Sequence, residues 1–416
     1  MDKLIIEGGI SLHGTVKAGG AKNSVLPLMA ATILAEGKHR FSNVPHLRDV
    51  VTMQRLLTHI GVSSELNNSS LELSSNGLQS FDAPYDLVKT MRASVLVLGP
   101  LLARWGKARV SLPGGCAIGA RPIDLHLDAL RKMGAEIEIK EGYVEAAASK
   151  LKGAEIEFAK VTVTGTENIL MAATLAEGTT VLKNAAQEPE VVDLAHYLIK
   201  MGAEIEGAGT DTITITGMPS LKATTHTVIA DRIEAATFLM AGAITRGEVT
   251  VENCAPSLLE TLLQHLKKIG CKIKTGPESI TVSAPDRLKN LDVTTTPFPG
   301  FVTDLQAQFM ALMSLADGTS IITETIFENR FQHALELKRL GADITLDGHT
   351  ATVKGVEKLS GAPMMATDLR ASASLILAGL AAEGETVIDR AYHIDRGYER
   401  IEERLSQLGA KILRVG

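Results

Sequence analysis

The sequence predicts an α/β protein of two domains, each built from three copies of one strand–helix repeat. The chain has 416 residues, which is more than a single hydrophobic core usually serves. Two short glycine-containing patterns recur along it, six times each, at intervals of roughly 70 residues. Six repeats of that size fill the whole chain, so the internal repetition defines the architecture.

The first pattern is the end of an amphipathic helix, then glycine, a small residue and a strand. The helix carries its charged residues on one face, as in residues 123–132, which is typical of a helix lying on the surface of a core. A glycine directly after such a helix is expected in the left-handed conformation that ends it. The six glycines are Gly61, Gly134, Gly202, Gly270, Gly341 and Gly409.

The second pattern is an alanine-rich apolar helix followed by glycine and a strand. Residues 24–34 are apolar on nearly every side, so helices of this type are predicted to be buried. We expect the glycine after each of them to occupy the same left-handed position past the helix end. These six glycines are Gly37, Gly106, Gly178, Gly247, Gly318 and Gly384.

Each repeat therefore reads strand, apolar helix, strand, amphipathic helix and two strands joined by a turn. An open solenoid used as a binding scaffold is the alternative, but fully apolar helices and the lack of polar end repeats favour two closed domains. Residues 5–12 resemble residues 213–221, and both halves enter their first helix after similar segments. We therefore predict one domain of residues 1–21 and 230–416 and a second of residues 22–229.

Composition and charge exclude several classes of function. The net charge of −6 argues against a nucleic-acid partner, which requires a cationic face. Three cysteines without a compact framework indicate reduced thiols in the cytoplasm. The start of the chain lacks a secretion signal, and the longest apolar run, residues 93–103, is too short to cross a bilayer. No metal-ligand spacing or dinucleotide fingerprint occurs, so we expect neither metal nor cofactor.

Charged and polar residues stand at matching offsets within the repeats. A single arginine at a helix start is more often solvated, but several at equivalent positions of an acidic chain favour an anion-binding cleft. At the starts of the apolar helices stand Lys22 with Asn23, Arg92, Thr164, Arg232, Asp304 and Arg370. Before the amphipathic helices stand Arg48, Arg121, Arg330 and Arg396.

Cys116 lies in a glycine-rich connection, residues 113–122, between a strand and an amphipathic helix. Such connections often carry function, and a thiol near a helix start and close to Arg121 ionises more readily. From the residues alone, a chemical role and a structural role for Cys116 are equally open. Cys254 and Cys271 lack such surroundings and are predicted to be packing residues.

With these segments in view, the chain resembles the enolpyruvyl transferase family, and within it the enzymes that act on UDP-N-acetylglucosamine. The resemblance runs over the whole length and is most specific in residues 18–23, 112–122, 303–308, 328–331 and 395–400. It implies two inside-out α/β barrels, each of three βαβαββ repeats. It also implies a cytoplasmic enzyme that transfers the enolpyruvyl group of phosphoenolpyruvate to the 3′-hydroxyl of UDP-N-acetylglucosamine and releases phosphate. That reaction is the first committed step of peptidoglycan synthesis and the target of fosfomycin.

The resemblance also implies roles for individual residues. Cys116 is the proton donor, and Asp304 is either the base or the group that orients the sugar hydroxyl, with Lys22 and Arg396 also catalytic. The phosphoenolpyruvate anion is held by Lys22, Arg121 and Arg396, next to Arg370. The reacting region is lined by Asn23, Arg92, Asp304 and Arg330. The nucleotide sugar is held by Arg121, Pro122, Ile123, Asp124, Leu125, Lys160, Val161, Thr162, Val163, Asp304 and Ile326.

Two alternatives to this function stay open at the level of sequence. Enolpyruvylshikimate phosphate synthase shares the fold and the donor, and turnover of the two acceptors distinguishes it. A catalytically silent sensor of sugar nucleotides would keep the same residues without chemistry, and release of phosphate distinguishes that protein. The cysteine-bearing loop and the Asp304 segment favour the enzyme that uses the UDP-sugar.

Overall fold

The computed structural model describes residues 2–112 and 123–416. The predicted site residues Cys116, Arg121 and Pro122 lie outside the described residues. The chain divides into two compact units. We call residues 20–112 with 123–229 the central unit, and residues 2–19 with 230–416 the terminal unit. Each unit has a hydrophobic core of its own.

The central unit alternates helices with short strands. Its helices are α1 (Lys22–Ala31), α2 (Arg48–Ile60), α3 (Tyr85–Val88), α4 (Leu98–Trp105), α5 (Asp124–Lys132), α6 (Val163–Ala173) and α7 (Pro189–Lys200). Its strands are β3 (Lys38–Ser42), β4 (Ser63–Asn67), β5 (Ser70–Ser74), β6 (Asp82–Ala83), β7 (Lys107–Ser111), β8 (Glu136–Lys140), β9 (Tyr143–Ala147), β10 (Glu155–Glu157), β11 (Thr179–Lys183), β12 (Glu204–Glu206), β13 (Thr212–Thr216) and β14 (Thr225–Thr227). Short 3-10 segments cover Thr32–Leu34 and Arg92–Val97.

The terminal unit combines the first two strands of the chain with its second half. Its helices are α8 (Arg232–Ile244), α9 (Glu260–Lys268), α10 (Gln306–Met313), α11 (Gln332–Arg339), α12 (Leu369–Ala381) and α13 (Ile401–Gln407). Its strands are β1 (Lys3–Glu7), β2 (His13–Lys17), β15 (Glu248–Glu252), β16 (Lys272–Thr275), β17 (Ser279–Ser283), β18 (Val293–Thr294), β19 (Thr319–Thr323), β20 (Asp343–Asp347), β21 (Thr350–Lys354), β22 (Pro363–Met365), β23 (Glu385–Asp389) and β24 (Lys411–Val415). Its 3-10 segments are Pro256–Leu259, Thr303–Leu305 and Ala391–Arg396.

The described residues form six four-stranded sheets with one shared topology. In the sheet β6-β7-β9-β8, β6 runs parallel to β7, while β9 is antiparallel to both β7 and β8. Each sheet is therefore one βαβαββ repeat, three in each unit, which confirms the predicted fold class.

In the terminal unit the start of the chain completes two of these sheets. β1 lies between β23 and β24, where it occupies the place that β9 has in its own sheet. β2 pairs in parallel with β15, so it takes the edge position of a second sheet.

The apolar helices are buried as predicted. Every residue of α8 and of α10 is buried, and α1 is buried from Ser24 to its end. The helices of the other class keep an exposed face: α2 buries Val50, Met53, Leu57 and Ile60 along one side. Each repeat thus has one helix inside the core and one on its surface.

The two sets of glycines differ in where they stand relative to their helices. The left-handed conformation predicted for the second set is present at Gly37, Gly106, Gly178, Gly318 and Gly384 but not at Gly247, whereas the predicted place directly past the helix end is wrong at most of these positions. Gly61 ends α2 with φ 105°, in the left-handed region, as expected for the first set. After the buried helices, only Gly106 directly follows a helix in this conformation. Gly178 also has a positive φ, but it lies five residues beyond the end of α6 and directly before β11. The chain leaves α6 through a tight turn, in which Ala176 N–H donates to Ala173 O. The left-handed residue therefore does not end the helix; Gly178 supplies it later, where the chain enters β11.

Because β1 is the inner strand of its sheet, truncating its core side chain should destabilise the protein. Leu4 is 1% exposed, and Leu4→Ala should lower the free energy of unfolding by about 2–5 kcal/mol. Leu413, on β24 of the same sheet, is 61% exposed, and Leu413→Ala should change it by less than about 0.5 kcal/mol. Urea unfolding followed by circular dichroism measures both. Equal losses in the two variants would contradict the inner placement of β1.

Candidate functional site

Three of the buried helices, α6, α8 and α12, begin with side chains that satisfy free N–H groups. Asp231 accepts from the N–H groups of Ile233 and Glu234, both at 2.9 Å. Asp368 does the same for Arg370 and Ala371, at 2.9 and 3.0 Å. In the central unit, Thr162 accepts from Gly165 at 3.1 Å. These caps fix the helix starts at which Thr164, Arg232 and Arg370 stand.

In the terminal unit, Asp304 lies between two arginines. Arg330 Nη2 donates to Asp304 Oδ1 at 2.7 Å, and Arg370 Nη2 donates to Asp304 Oδ2 at 2.8 Å. The arginine side chains are 6% and 5% exposed and that of Asp304 is 27% exposed, so the cluster meets solvent through the carboxylate. The structure thus brings together three of the predicted site residues from three different segments.

The electrostatics of this cluster keep Asp304 charged. Burial alone would raise the pKa of Asp304, but the charges of Arg370 and Arg330 and their hydrogen bonds outweigh it and hold that pKa well below its ordinary value. Two guanidiniums on one carboxylate leave an excess of positive charge. The cluster is therefore suited to hold an additional anion.

Arg370 also contacts the hydroxyl group of a buried tyrosine. Its Nη1 donates to the Tyr398 hydroxyl at 3.4 Å, and that hydroxyl lies 2.8 Å from Thr237 Oγ1. Arg396 lies two residues before Tyr398, at the end of the 3-10 segment Ala391–Arg396, and is half-buried. The resemblance included Tyr398 in the segment 395–400 but gave it no role of its own, because a buried tyrosine is usually an ordinary core residue.

In the central unit, α1 begins at Lys22 and Asn23. Lys22 Nζ lies 3.7 Å from Asp49 Oδ2. Ser24, one residue past Asn23, donates its hydroxyl to Asp193, and Asp193 also contacts His226 Nε2 at 2.8 Å. Buried side chains therefore fix the first turn of α1.

A second buried network joins the other predicted segments of the central unit. His126 of α5 contacts Thr164 Oγ1 at 3.2 Å and Asn168 at 3.1 Å. Asn168 also donates to Val95 O at 2.9 Å and accepts from Gly99 N–H at 2.6 Å. The network therefore fixes the relative positions of three predicted segments. These are residues 123–125 at the start of α5, residues 160–163 at the start of α6, and the segment of Arg92 and Val95.

The sequence missed His126 and Asn168. Burial lowers the pKa of His126 to about 4, so the ring is neutral at pH 7. In that state one ring nitrogen accepts from Asn168 while the other donates to Thr164. The available signal was a histidine adjacent to the predicted contact segment 121–125.

The described cysteines are packing residues, as predicted. Cys254 and Cys271 are both free and buried, and burial raises the pKa of each thiol to about 12. Thiols of this kind are unreactive at neutral pH.

A cavity of about 250 Å³ in the central unit lies outside the predicted site segments. It is lined mainly by Arg40 and Ser42 on β3, by Lys200, and by the three residues of β14. None of the predicted site residues that the structure describes lines it. Lys200 contacts His226 at 3.3 Å, so the cavity adjoins the network of Asp193.

Among the residues that the structure describes, no group of three or more histidine, cysteine, aspartate or glutamate side chains could hold a metal ion. Within the same residues, every helix is too short or too polar to cross a membrane.

Comparison with known proteins identifies the family. The family described as EPSP synthase (3-phosphoshikimate 1-carboxyvinyltransferase) matches residues 6–405. A protein of Myxococcus xanthus named UDP-N-acetylglucosamine 1-carboxyvinyltransferase is 57% identical over 417 residues, which cover 100% of this chain and 99% of that protein. The chain belongs to the enolpyruvyl transferase family. This confirms the resemblance seen in the sequence.

Other members of the enolpyruvyl transferase family agree. A protein of Geotalea uraniireducens with the same name is 58% identical over the full length of both chains. Among solved structures, the enolpyruvyl transferase NikO from Streptomyces tendae superimposes with a TM-score of 0.89 at 27% identity, covering 100% of this chain and 99% of NikO. An EPSP synthase from Acinetobacter baumannii shares the fold, with a TM-score of 0.76 at 20% identity and full coverage of both chains.

The lowered pKa of His126 makes the free energy of unfolding depend on pH. Below pH 6.5 the unfolded chain binds a proton at this residue, whereas the folded chain does so only near pH 4. The free energy of unfolding should therefore fall by up to about 3 kcal/mol as the pH drops through this window. His126→Gln should flatten that part of the stability–pH curve, while His13→Gln, at an exposed residue, should not. Urea unfolding between pH 7 and pH 4 measures this, and parallel curves for parent and His126→Gln would contradict it.

Proposed function

We propose that this chain transfers the enolpyruvyl group of phosphoenolpyruvate to the 3′-hydroxyl of UDP-N-acetylglucosamine and releases phosphate, the first committed step of peptidoglycan synthesis. The names of its relatives support the acceptor. The observation that carries the proposal is the cluster of Asp304, Arg330 and Arg370, in which one partly exposed aspartate lies between two buried arginines. We place the reaction in the cytoplasm, without a cofactor.

The reaction requires an anion site and a group that takes the hydroxyl proton. Phosphoenolpyruvate carries a carboxylate and a phosphate, and its addition product keeps both charges until phosphate leaves. Buried arginines stabilise such charge more strongly than water does, because they are already oriented. Lys22, Arg121 and Arg396, together with Arg370, are the residues that we assign to these two anionic groups.

Asp304 is a weak base as long as both arginines hold it. A carboxylate with a depressed pKa accepts a proton poorly. An anionic donor that competes for Arg330 or Arg370 would remove part of this stabilisation and raise the pKa of Asp304. The carboxylate would then accept the proton of the sugar hydroxyl only after the donor has bound, and before that it orients the hydroxyl.

Cys116 is the proposed proton donor to the terminal carbon of the enol. The low reactivity of the buried Cys254 and Cys271 thiols supports this assignment. The acceptor contacts are assigned to Arg121 to Leu125, Lys160 to Val163, Asp304 and Ile326, and the lining of the reacting region to Asn23, Arg92, Asp304 and Arg330. For the segments at α5 and α6, the shared network of His126 and Asn168 supports a common ligand.

Phosphate release tests the function directly. With phosphoenolpyruvate present, the purified protein should release phosphate when UDP-N-acetylglucosamine is added, and should not do so with shikimate 3-phosphate. Cys116→Ser, which removes the proton donor, should reduce the rate by about 10²-fold or more. Release only with shikimate 3-phosphate would assign the chain to the other acceptor, and no release with either acceptor would favour a silent sensor.

Replacing the carboxylate of Asp304 should separate binding from turnover. Asp304→Asn keeps the shape and a hydrogen-bonding oxygen but cannot accept the hydroxyl proton, so kcat should fall by about 10²–10⁴-fold. The dissociation constant for UDP-N-acetylglucosamine, measured by calorimetry, should change by less than about tenfold. The matched control is Asp317→Asn, an exposed ion-pairing aspartate of the same unit, which should keep parent kinetics. Near-parent kcat in Asp304→Asn would limit Asp304 to orientation.

A further inference from the structure

Glu324 is a buried carboxylate outside every segment assigned so far. It follows β19 directly and is 1% exposed. Its Oε1 accepts from Thr295 Oγ1 at 2.9 Å and from the N–H groups of Ile326 and Phe327 at 2.8 and 3.2 Å. Its Oε2 accepts from Thr303 Oγ1 at 2.8 Å. Four donors thus converge on one side chain.

Two of these bonds reach the proposed site. Thr303 opens the 3-10 segment that carries Asp304, and its hydroxyl also accepts from Arg330 Nη1 at 2.9 Å. Ile326 is the proposed contact of the nucleotide sugar in this unit. A continuous chain of hydrogen bonds therefore runs from the Ile326 backbone through Glu324, Thr303 and Arg330 to Asp304.

The direction of this chain is determined by its chemistry. Thr303 has one hydroxyl proton, which it gives to Glu324, so its lone pairs face Arg330 and can only accept. The main-chain N–H groups of Ile326 and Phe327 can only donate, so the direction of their bonds to Glu324 is determined as well. The Thr303 hydroxyl accepts from Arg330 and donates to Glu324, so these two bonds run in one direction and polarise and strengthen each other in a buried setting.

We propose that Glu324 is a positioning residue that fixes the Arg330–Asp304 pair relative to the Ile326 backbone, and so aligns the acceptor hydroxyl with the carboxylate. The inference rests on the proposed function. Glu324 does not touch the reacting atoms itself; it acts through Thr303 on one side and through two backbone amides on the other.

Thr295 supplies a matched control for the bond from Thr303 to Glu324. Both threonines donate to the same carboxylate, so Thr303→Val and Thr295→Val each remove one donor with little change of volume. Thr295 is fully buried and also accepts from Thr325 N–H at 2.9 Å, so each substitution leaves one further donor without its acceptor. Only Thr303 connects to Arg330.

The kinetic comparison of the two variants tests the proposal. Thr303→Val should raise KM for UDP-N-acetylglucosamine and lower kcat, each by about tenfold, the loss expected for one hydrogen bond to a charged group. Thr295→Val should keep kcat within about twofold of the parent at a similar loss of stability, because it leaves the bonds that join Thr303, Arg330 and Asp304 in place. Thr303→Ser, which restores the hydroxyl, should recover the parent values. Equal losses of kcat in the two valine variants, or parent kinetics in Thr303→Val, would overturn the proposal.

Amide hydrogen exchange, read by mass spectrometry without any substrate, keeps this test separate from that of the function. Thr303→Val should speed exchange in residues 303–305, and Thr295→Val should leave that segment as in the parent. Unchanged exchange in residues 303–305 of Thr303→Val would show that Glu324 does not hold the Asp304 turn. A parent protein that releases no phosphate would refute the proposed function, while the exchange result would still decide whether Glu324 positions this turn.

Discussion

The helices that are buried on every side impose the main constraint on both units. A helix inside a core cannot use water for the free N–H groups of its first turn, so the protein must supply the acceptors. Asp231, Asp368 and Thr162 do so, and the caps hold the neighbouring residues in fixed positions. Arg370 follows one such cap by two residues. The site residues therefore gather at helix starts because those ends are the polar points of an otherwise apolar interior.

The two units stabilise their functional segments by different chemistry. The terminal unit relies on charge: Asp304 is held by two arginines, one of which also bonds Thr303. The central unit relies mainly on neutral groups, with His126 and Asn168 linking three segments through amide, imidazole and main-chain groups. A neutral network tolerates ligands of either charge nearby, whereas the arginine cluster selects for anions.

The sequence predicted the repeats, the buried helices and the helix starts, because these depend on local periodicity and on glycine. It also singled out Asp304, Arg330 and Arg370 one by one. It could not predict that one carboxylate bridges both arginines, since these contacts join residues 26 and 66 positions apart and depend on how the segments pack. Glu324 was missed for a related reason. An acidic residue after an apolar strand is predicted to be solvent-exposed unless the groups that donate hydrogen bonds to it are known. The glycines after the buried helices were misplaced because the tightened turns between helix and strand leave no local signature.

The position of β1 has a consequence for how the chain folds during synthesis. Its neighbours β23 and β24 are the last two strands, and Lys411 of β24 bonds Glu7 of β1 across 404 residues of sequence. On the ribosome, β1 emerges long before β23 and β24 and cannot pair with them until both have been synthesised. All of residues 20–229 emerge in the meantime and can form their core alone. Vectorial synthesis therefore favours early formation of the core of the central unit, whereas the sheet that contains β1 can be completed only after β23 and β24 have emerged.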